Sequence, residues 1–234
     1  PNALVNIDSG AGEPMVQATT IEITDGLVAR SLSGIGDLPD TRDLSRYDRA
    51  YRYADVLVVG AGLAGLAEAK KYADQGKIVI IMDDKPEVGG HANQCGEIIP
   101  AELLATLTRE NVTHLQRTTV IGTYDQGYAV AVERRTDHVH SKVSTDVARI
   151  RTWHVRAEHT VLATGAFQRP LVFANNDRPG IMLSHAAATY VERGVTKFKT
   201  AVVVTVANQG YTDAIRLHKS GVLVLAIVDL RKKL

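Results

Sequence analysis

The run Val56-Leu57-Val58-Val59-Gly60-Ala61-Gly62-Leu63-Ala64-Gly65 constrains the fold more than any other stretch of the chain. Four apolar residues lead without a break into a glycine-rich turn. Such a run fits a strand buried on both faces, as in a parallel sheet. The spacing Gly60-x-Gly62-x-x-Gly65 is the dinucleotide fingerprint, and each glycine answers a physical need. Gly60 permits the tight strand-to-helix turn, Gly62 lets backbone approach a pyrophosphate, and Gly65 lets the helix pack closely on the sheet. The amides that follow, from Leu63 and Ala64, sit at a helix N-terminus, where free N–H groups and the dipole favour an anion.

A lone glycine motif is weak, so its context decides. Leu63 to Gln75 is rich in helix formers and ends at Gly76, a plausible residue just past the helix. A second apolar strand, Lys77 to Met82, runs into Asp83-Asp84-Lys85, about 20 residues beyond the turn. An acid belongs there to accept the ribose hydroxyls of an adenosine. Asp83 is the first choice by its distance from Gly76, and Asp84 is the alternative. A carboxylate at that point repels a 2′-phosphate, which favours NAD over NADP. The pair Gly89-Gly90 suggests backbone passing close to a ligand or another strand. Gly90 and Lys85 therefore join the candidate site.

Further along, Pro100 starts a helix through about Arg109. Arg117 to Tyr124, Tyr128 to Glu133 and Ala148 to Arg156 read as three strands, a meander over about residues 112–156. A separate buried strand, His159 to Ala163, runs into Thr164-Gly165, which can return the chain to the dinucleotide. Val120 offers its backbone to the adenine edge by fold analogy. Upstream, Val16 to Thr24 alternates like a strand, Asp25-Gly26 is a turn signal, and the polar stretch Ser31 to Arg49 wraps the surface. Ala201 to Val206, Gly210 to Lys219 and Val222 to Asp229 make a second βαβ unit. Its turn, Ala207-Asn208-Gln209-Gly210, keeps one glycine, and two side chains crowd the place of a pyrophosphate. One bound dinucleotide is expected, not two.

These elements give an α/β, Rossmann-like fold of the two-dinucleotide-binding, glutathione-reductase type. Residues 1–53 form an arm with short strands, 54–200 a dinucleotide-binding domain with its meander, and 201–234 the start of a second, degenerate nucleotide-binding domain.

Bulk properties narrow the function. A formal net charge of +1 gives no reason to expect nucleic acid or an anionic membrane as partner. The longest apolar run, Val222 to Val228, is too short to span a bilayer, and no signal peptide is visible. The single cysteine, Cys95, excludes a paired-cysteine redox centre and suggests a reducing, cytoplasmic setting. It reads most simply as a structural thiol. The eight histidines show no convincing metal spacing; His138-x-His140 comes closest and reads as solvated surface, so no metal is expected. Ser184-His185 lacks a nucleophile-elbow context. Trp153 reads as packing. The absent initiator Met and the stop just after a strand suggest a piece of a longer polypeptide.

The stretches Arg117-Thr118-Thr119, Glu133 to His138, Val161 to Ala166, and above all Arg169 to Gly180, resemble the alpha subunit of heterotetrameric sarcosine oxidase. Glu13 to Val16 and Asp25 to Arg30 are similar to it as well. The resemblance implies an oxidoreductase that converts sarcosine, water and oxygen to glycine, formaldehyde and hydrogen peroxide. It implies NAD in this subunit, FAD in a beta subunit, a covalent FMN at their interface, and smaller subunits completing a heterotetramer. No catalytic residue falls in this chain, which alone should not perform the reaction. The chain is shorter than the family between Gly90 and Val112, and His91 to Cys95 has no counterpart there. Two related readings stand beside this one. They are the alpha-type subunit of an FAD/NAD-linked amino-acid or opine dehydrogenase complex, and a scaffold subunit whose NAD never turns over.

Overall fold

The computed structural model describes residues 4–10, 12–18, 21–32, 43–141, 144 and 146–232. The chain divides into two compact units, Pro1–Gly90 with Ile99–Thr164, and His91–Ile98 with Gly165–Leu234.

The first unit is organised by one six-stranded sheet. Its strands in chain order are β4 (Tyr47–Val59), β5 (Val79–Met82), β6 (Val112–Leu115), β7 (Thr118–Tyr124), β8 (Tyr128–Arg134) and β9 (Ile150–Leu162). Across the sheet the order is β6-β5-β4-β9-β8-β7. The first four of these run parallel; β8 runs antiparallel to β9, and β7 antiparallel to β8. Alternation along β5 shows why the sheet needs cover on both faces. Val79 and Ile81 pack with Val56 and Val58 against Leu66, Ala69 and Ala73 of helix α1 (Leu63–Asp74) and Leu103 of α3 (Ala101–Thr106). Ile80 and Met82 point the other way, to Leu57, Trp153, Val155 and the alanines of β8. All four β5 side chains are buried, as a period-two strand inside a two-faced core requires.

Helix α1 stops where the sequence says it should. Gly76 takes φ +74°, its amide donates to the Ala73 carbonyl at 3.0 Å, and the Lys77 amide donates to Tyr72 at 3.2 Å. This pair of bonds satisfies the last carbonyls and uses the conformation glycine adopts cheaply.

Three expectations change. The strands read separately as 148–156 and 159–163 are one strand, β9, which pairs in parallel with β4 from Tyr47↔Ile150 to Val59↔Leu162. Its exposed Glu158 and His159 hid the continuity, because hydrophobic patterning breaks there while backbone pairing does not. For the same reason the polar residues 47–49 belong to β4 and not to a surface wrap; residues 33–42 of that stretch lie outside the described residues. Val112–Leu115 is a parallel edge strand beside β5, so the meander is β7, β8 and the first part of β9.

The arm forms a small antiparallel sheet, β2-β1-β3, of β1 (Leu4–Ile7), β2 (Glu13–Gln17) and β3 (Ala29–Ser31). Residues 21–24 are irregular rather than a continuation of β2, and the turn at Asp25-Gly26 is present. Buried-side polar contacts tie the arm to the meander. The Arg117 guanidinium donates to both oxygens of Glu22 at 2.8 and 2.7 Å, and Arg149 to Glu13 at 2.7 Å. The loop histidines serve the same docking. His140 Nδ1 meets the Ser9 hydroxyl at 3.0 Å, and the His138 carbonyl accepts from Thr24. They are half-buried, which corrects the reading of this pair as solvated surface.

The second unit carries α2 (His91–Gln94), α4 (Ser184–Glu192), β10 (Thr200–Thr205), α5 (Gln209–Lys219) and β11 (Leu223–Asp229). Strands β10 and β11 are parallel, with Ala188, Val203, Ala214, Leu217 and Val222 in its core.

Candidate dinucleotide site

The glycine turn is built by close backbone approach on one side and open space on the other. The Gly60 amide donates to the Met82 carbonyl at 2.7 Å, and its φ is +103°. A Cβ on Gly60 would come 2.3 Å from the Ala163 carbonyl oxygen, so the turn abuts the end of β9. At Gly65 a Cβ would meet the Gly60 carbonyl oxygen at 1.9 Å, which is why the helix can lie so near the strand. Gly62 differs, because a Cβ there would meet nothing within 4 Å. The space in front of Gly62 is therefore open, at the N-terminus of α1. Gly62 caps α1 without a side-chain hydrogen bond, and no acid occupies the first turn. The amides of Leu63, Ala64 and Gly65 lack intrahelical acceptors and point out with the positive end of the dipole.

The other expected residues gather around this turn. The Asp83 carboxylate accepts from the Ala61 amide at 2.6 Å and from the Lys85 amide at 2.8 Å. Gly89 forms a parallel bridge with Gly62, and its amide donates to the Ala61 carbonyl at 2.8 Å. A Cβ on Gly90 would lie 3.3 Å from the Gly62 Cα. The Gly-Gly pair therefore exists to let two backbone segments pass. Asp84 is turned to solvent and pairs with the Lys85 ammonium at 3.1 Å. Val120 sits two residues along β7 from Thr118, whose amide donates to the Asp83 carbonyl at 2.7 Å. Thr164 adjoins Gly60 at the end of β9. Gly165, with φ +73°, begins the second unit.

Beside the acid-bearing loop lies a cleft of about 340 Å³, lined by His114, Arg117, Glu133, Arg134, Arg135 and His138 among others. The Arg117 amide donates to the Lys85 carbonyl and the Arg134 guanidinium to the Asp84 carbonyl, both at 3.1 Å. Burial pushes the His114 imidazole below its usual range, against the pull of the Asp83 carboxylate. Sequence reasoning missed this rim, since Arg117 and Arg134 reach the loop only through the tertiary pairing of β7 and β8.

The second βαβ turn is filled by its own side chains. Asn208 Oδ1 accepts from Arg231 at 2.8 Å, Gln209 donates to Asp213 at 3.2 Å, and Asp229 at the end of β11 is held by Arg231 and Tyr211. A Cβ on Gly210 would clash with Thr205 at 2.4 Å, so this glycine serves helix–strand packing. Ser184 donates to Asp213 and makes no bond to His185 among the described residues, so no nucleophile–base pair arises.

A parallel sheet with a glycine turn at its switch into a helix, an acid on the next strand and a meander define a dinucleotide-binding protein of the two-domain redox type. The chain belongs to the pyridine nucleotide-disulphide oxidoreductase family, whose model matches residues 54–229. It is 41% identical over 249 residues to the sarcosine oxidase alpha subunit of Corynebacterium sp. (strain U-96), covering 100% of this chain and 26% of that one. It is 37% identical to the alpha subunit of Rhizobium meliloti (strain 1021), covering 87% of this chain and 22% of the relative. The chain thus spans about a quarter of the length of these curated relatives. Among solved structures it resembles L-proline dehydrogenase from P. horikoshii, with a TM-score of 0.63 at 17% identity over 95% of this chain and 43% of that one. That likeness speaks to the fold. The family carries a nucleotide cofactor, and no helix among the described residues is long and apolar enough to cross a membrane.

Proposed function

We propose that this chain is the dinucleotide-binding part of an alpha-type subunit in a multi-subunit amine oxidase of the sarcosine oxidase kind. The observation that carries this reading is the 41% identity to a sarcosine oxidase alpha subunit along the whole of the chain. It favours the oxidase over an opine or amino-acid dehydrogenase complex.

In this reading NAD binds at the glycine turn. Leu63, Ala64 and Gly65 amides hold the pyrophosphate, and Gly62 leaves it room. Asp83 takes the adenosine ribose with the lone pairs its two amide donors leave free. NAD supplies a nicotinamide able to accept or hold a hydride. The arginine rim at Arg134 and Arg135 does not argue for NADP, because Asp83 would stand against a 2′-phosphate. FAD and FMN reside with a beta subunit, and a secondary amine of the sarcosine type is oxidised there. This chain's part is to hold the dinucleotide and to build the subunit interface. The single cysteine supports a cytoplasmic location.

The test is an anaerobic addition of sarcosine to the intact, purified complex, with its subunits and cofactors identified by mass spectrometry. A beta-type flavin subunit and flavin bleaching are expected. Growth of the NADH band as well would assign the bound NAD a working role, and bleaching alone a structural one. A complex with no flavin subunit, or none of these changes with sarcosine, would overturn the proposal.

A further inference from the structure

We propose that His91, Cys95 and His185 form a site for a divalent cation of zinc's class. Their ligand atoms lie within 4.8 Å of one another, and all three residues belong to the second compact unit. No role in the dinucleotide site uses them.

The placement follows from local backbone geometry. The Cys95 amide donates to the His91 carbonyl at 2.9 Å, so one helical turn separates them and their side chains share a face. Cys95 Sγ and His91 Nε2 are 3.4 Å apart. The His185 ring, brought in by α4 from about 90 positions away, sits with its centroid 4.7 Å from that of His91. Two imidazoles and a thiolate make a borderline-soft N₂S donor set, of the ligand types that zinc takes. Tetrahedral metal–ligand bonds of about 2.0–2.3 Å put neighbouring donors roughly 3.3–3.6 Å apart. The Cys95–His91 pair already meets this at 3.4 Å, and side-chain rotation closes the wider separations within the 4.8 Å cluster. Three protein donors leave a fourth position for water or a small ligand.

The surroundings suit a cation. The Arg216 guanidinium faces two carboxylates, Glu192 at 2.6 Å and the fully buried Asp213 at 3.4 Å. With a Cys95 thiolate the neighbourhood then carries two net negative charges, which a divalent ion neutralises. His185 Nδ1 accepts from the Arg216 guanidinium at 2.9 Å, which puts the ring proton on Nε2, 3.0 Å from the Gln94 amide oxygen. A metal on Nε2 takes the place of that proton, which moves to Nδ1; there it can turn from Arg216 to Asp213 Oδ1, now 3.6 Å away, the carboxylate–histidine relation that orients a ligating imidazole.

The experiment titrates metal-stripped, full-length protein with Co²⁺. One equivalent per chain should give a thiolate-to-cobalt band and the visible bands of a tetrahedral site, both displaced by Zn²⁺. Cys95→Ser should remove the thiolate band, and His91→Gln should weaken Co²⁺ binding at least tenfold, with unchanged circular dichroism in each. Independently of any variant, one equivalent of Zn²⁺ should slow alkylation of Cys95 at least tenfold. No thiolate band, a band that survives Cys95→Ser, or alkylation indifferent to Zn²⁺ overturns the site. None of these readouts depends on NAD or sarcosine.

Discussion

The Asp83 carboxylate reaches across the glycine turn to the Ala61 amide, 2.6 Å away. Its other oxygen takes the Lys85 amide at 2.8 Å. The acid at the end of β5 is therefore already fixed by the protein before any ligand arrives. Each carboxylate oxygen keeps a lone pair for a ribose hydroxyl. Fixing the charge in advance lowers the entropy lost on binding.

Asp83→Asn should weaken NAD retention by about 10–100-fold, because charge-assisted hydrogen bonds contribute about 1.5–3 kcal/mol. Asp84→Asn should change it little, since that side chain is turned to solvent and paired only with Lys85. NAD content of the purified variants, followed by titration, compares the two. Equal losses would remove Asp83 from its assigned role.

Gly62 and Gly65 should fail in different ways. Gly65→Ala puts a methyl group 1.9 Å from the Gly60 carbonyl oxygen, so backbone must move and the unit should lose several kcal/mol, about the upper range for point changes. Gly62→Ala meets open space at φ −70°, so thermal stability should hold while NAD binding falls sharply. Melting curves with and without NAD separate the outcomes. A Gly62→Ala protein that still shows the full NAD-dependent rise would place the pyrophosphate elsewhere.

Much of this site was legible because its signals are local. Strand, turn, helix and acid fall within residues 56–85, where propensity and glycine spacing agree with the fold. The second βαβ unit was legible for the same reason. What escaped reading was non-local. The lengths of β4 and β9 are set by their pairing with each other, which no pattern of Glu158 or His159 announces. The docking of the arm through Arg117 and Glu22 joins positions 95 apart in sequence. His91 and Cys95 carried a local signal, their four-residue spacing, but its meaning depends on a helical turn there and on His185 arriving from α4.

Only one dinucleotide should be recovered per chain. In the second turn Asn208 and Gln209 are engaged by Arg231 and Asp213, and the acid Asp229 is held by Arg231, which keeps its carboxyl well below the usual range. A nucleotide would have to displace a bidentate arginine–carboxylate pair before gaining its own contacts. Denaturing the holoprotein and quantifying released nucleotide gives the count. Two NAD equivalents on this chain would refute the occupancy assigned to its second half.

Stability should decline as pH falls below about 6.5, before any carboxylate titrates. His114, His138 and His185 are each held below 6.5, with burial the largest cause in all three. A depressed imidazole binds its proton first in the unfolded chain, so protons favour unfolding once the pH drops through 6.5. The contribution of the neutral rings is full above that value and is lost as pH falls through their folded values. Carboxylates act with the same sign but lower. Glu22, held down by its bond to Arg117, starts from 4.5. The window between about 6.5 and 4.5 thus isolates the histidines. Urea midpoints taken across that window should fall steadily, and His114→Gln should flatten the slope, as His114 is the most buried of the three. A midpoint constant down to about pH 5 would show that these rings protonate as freely folded as unfolded.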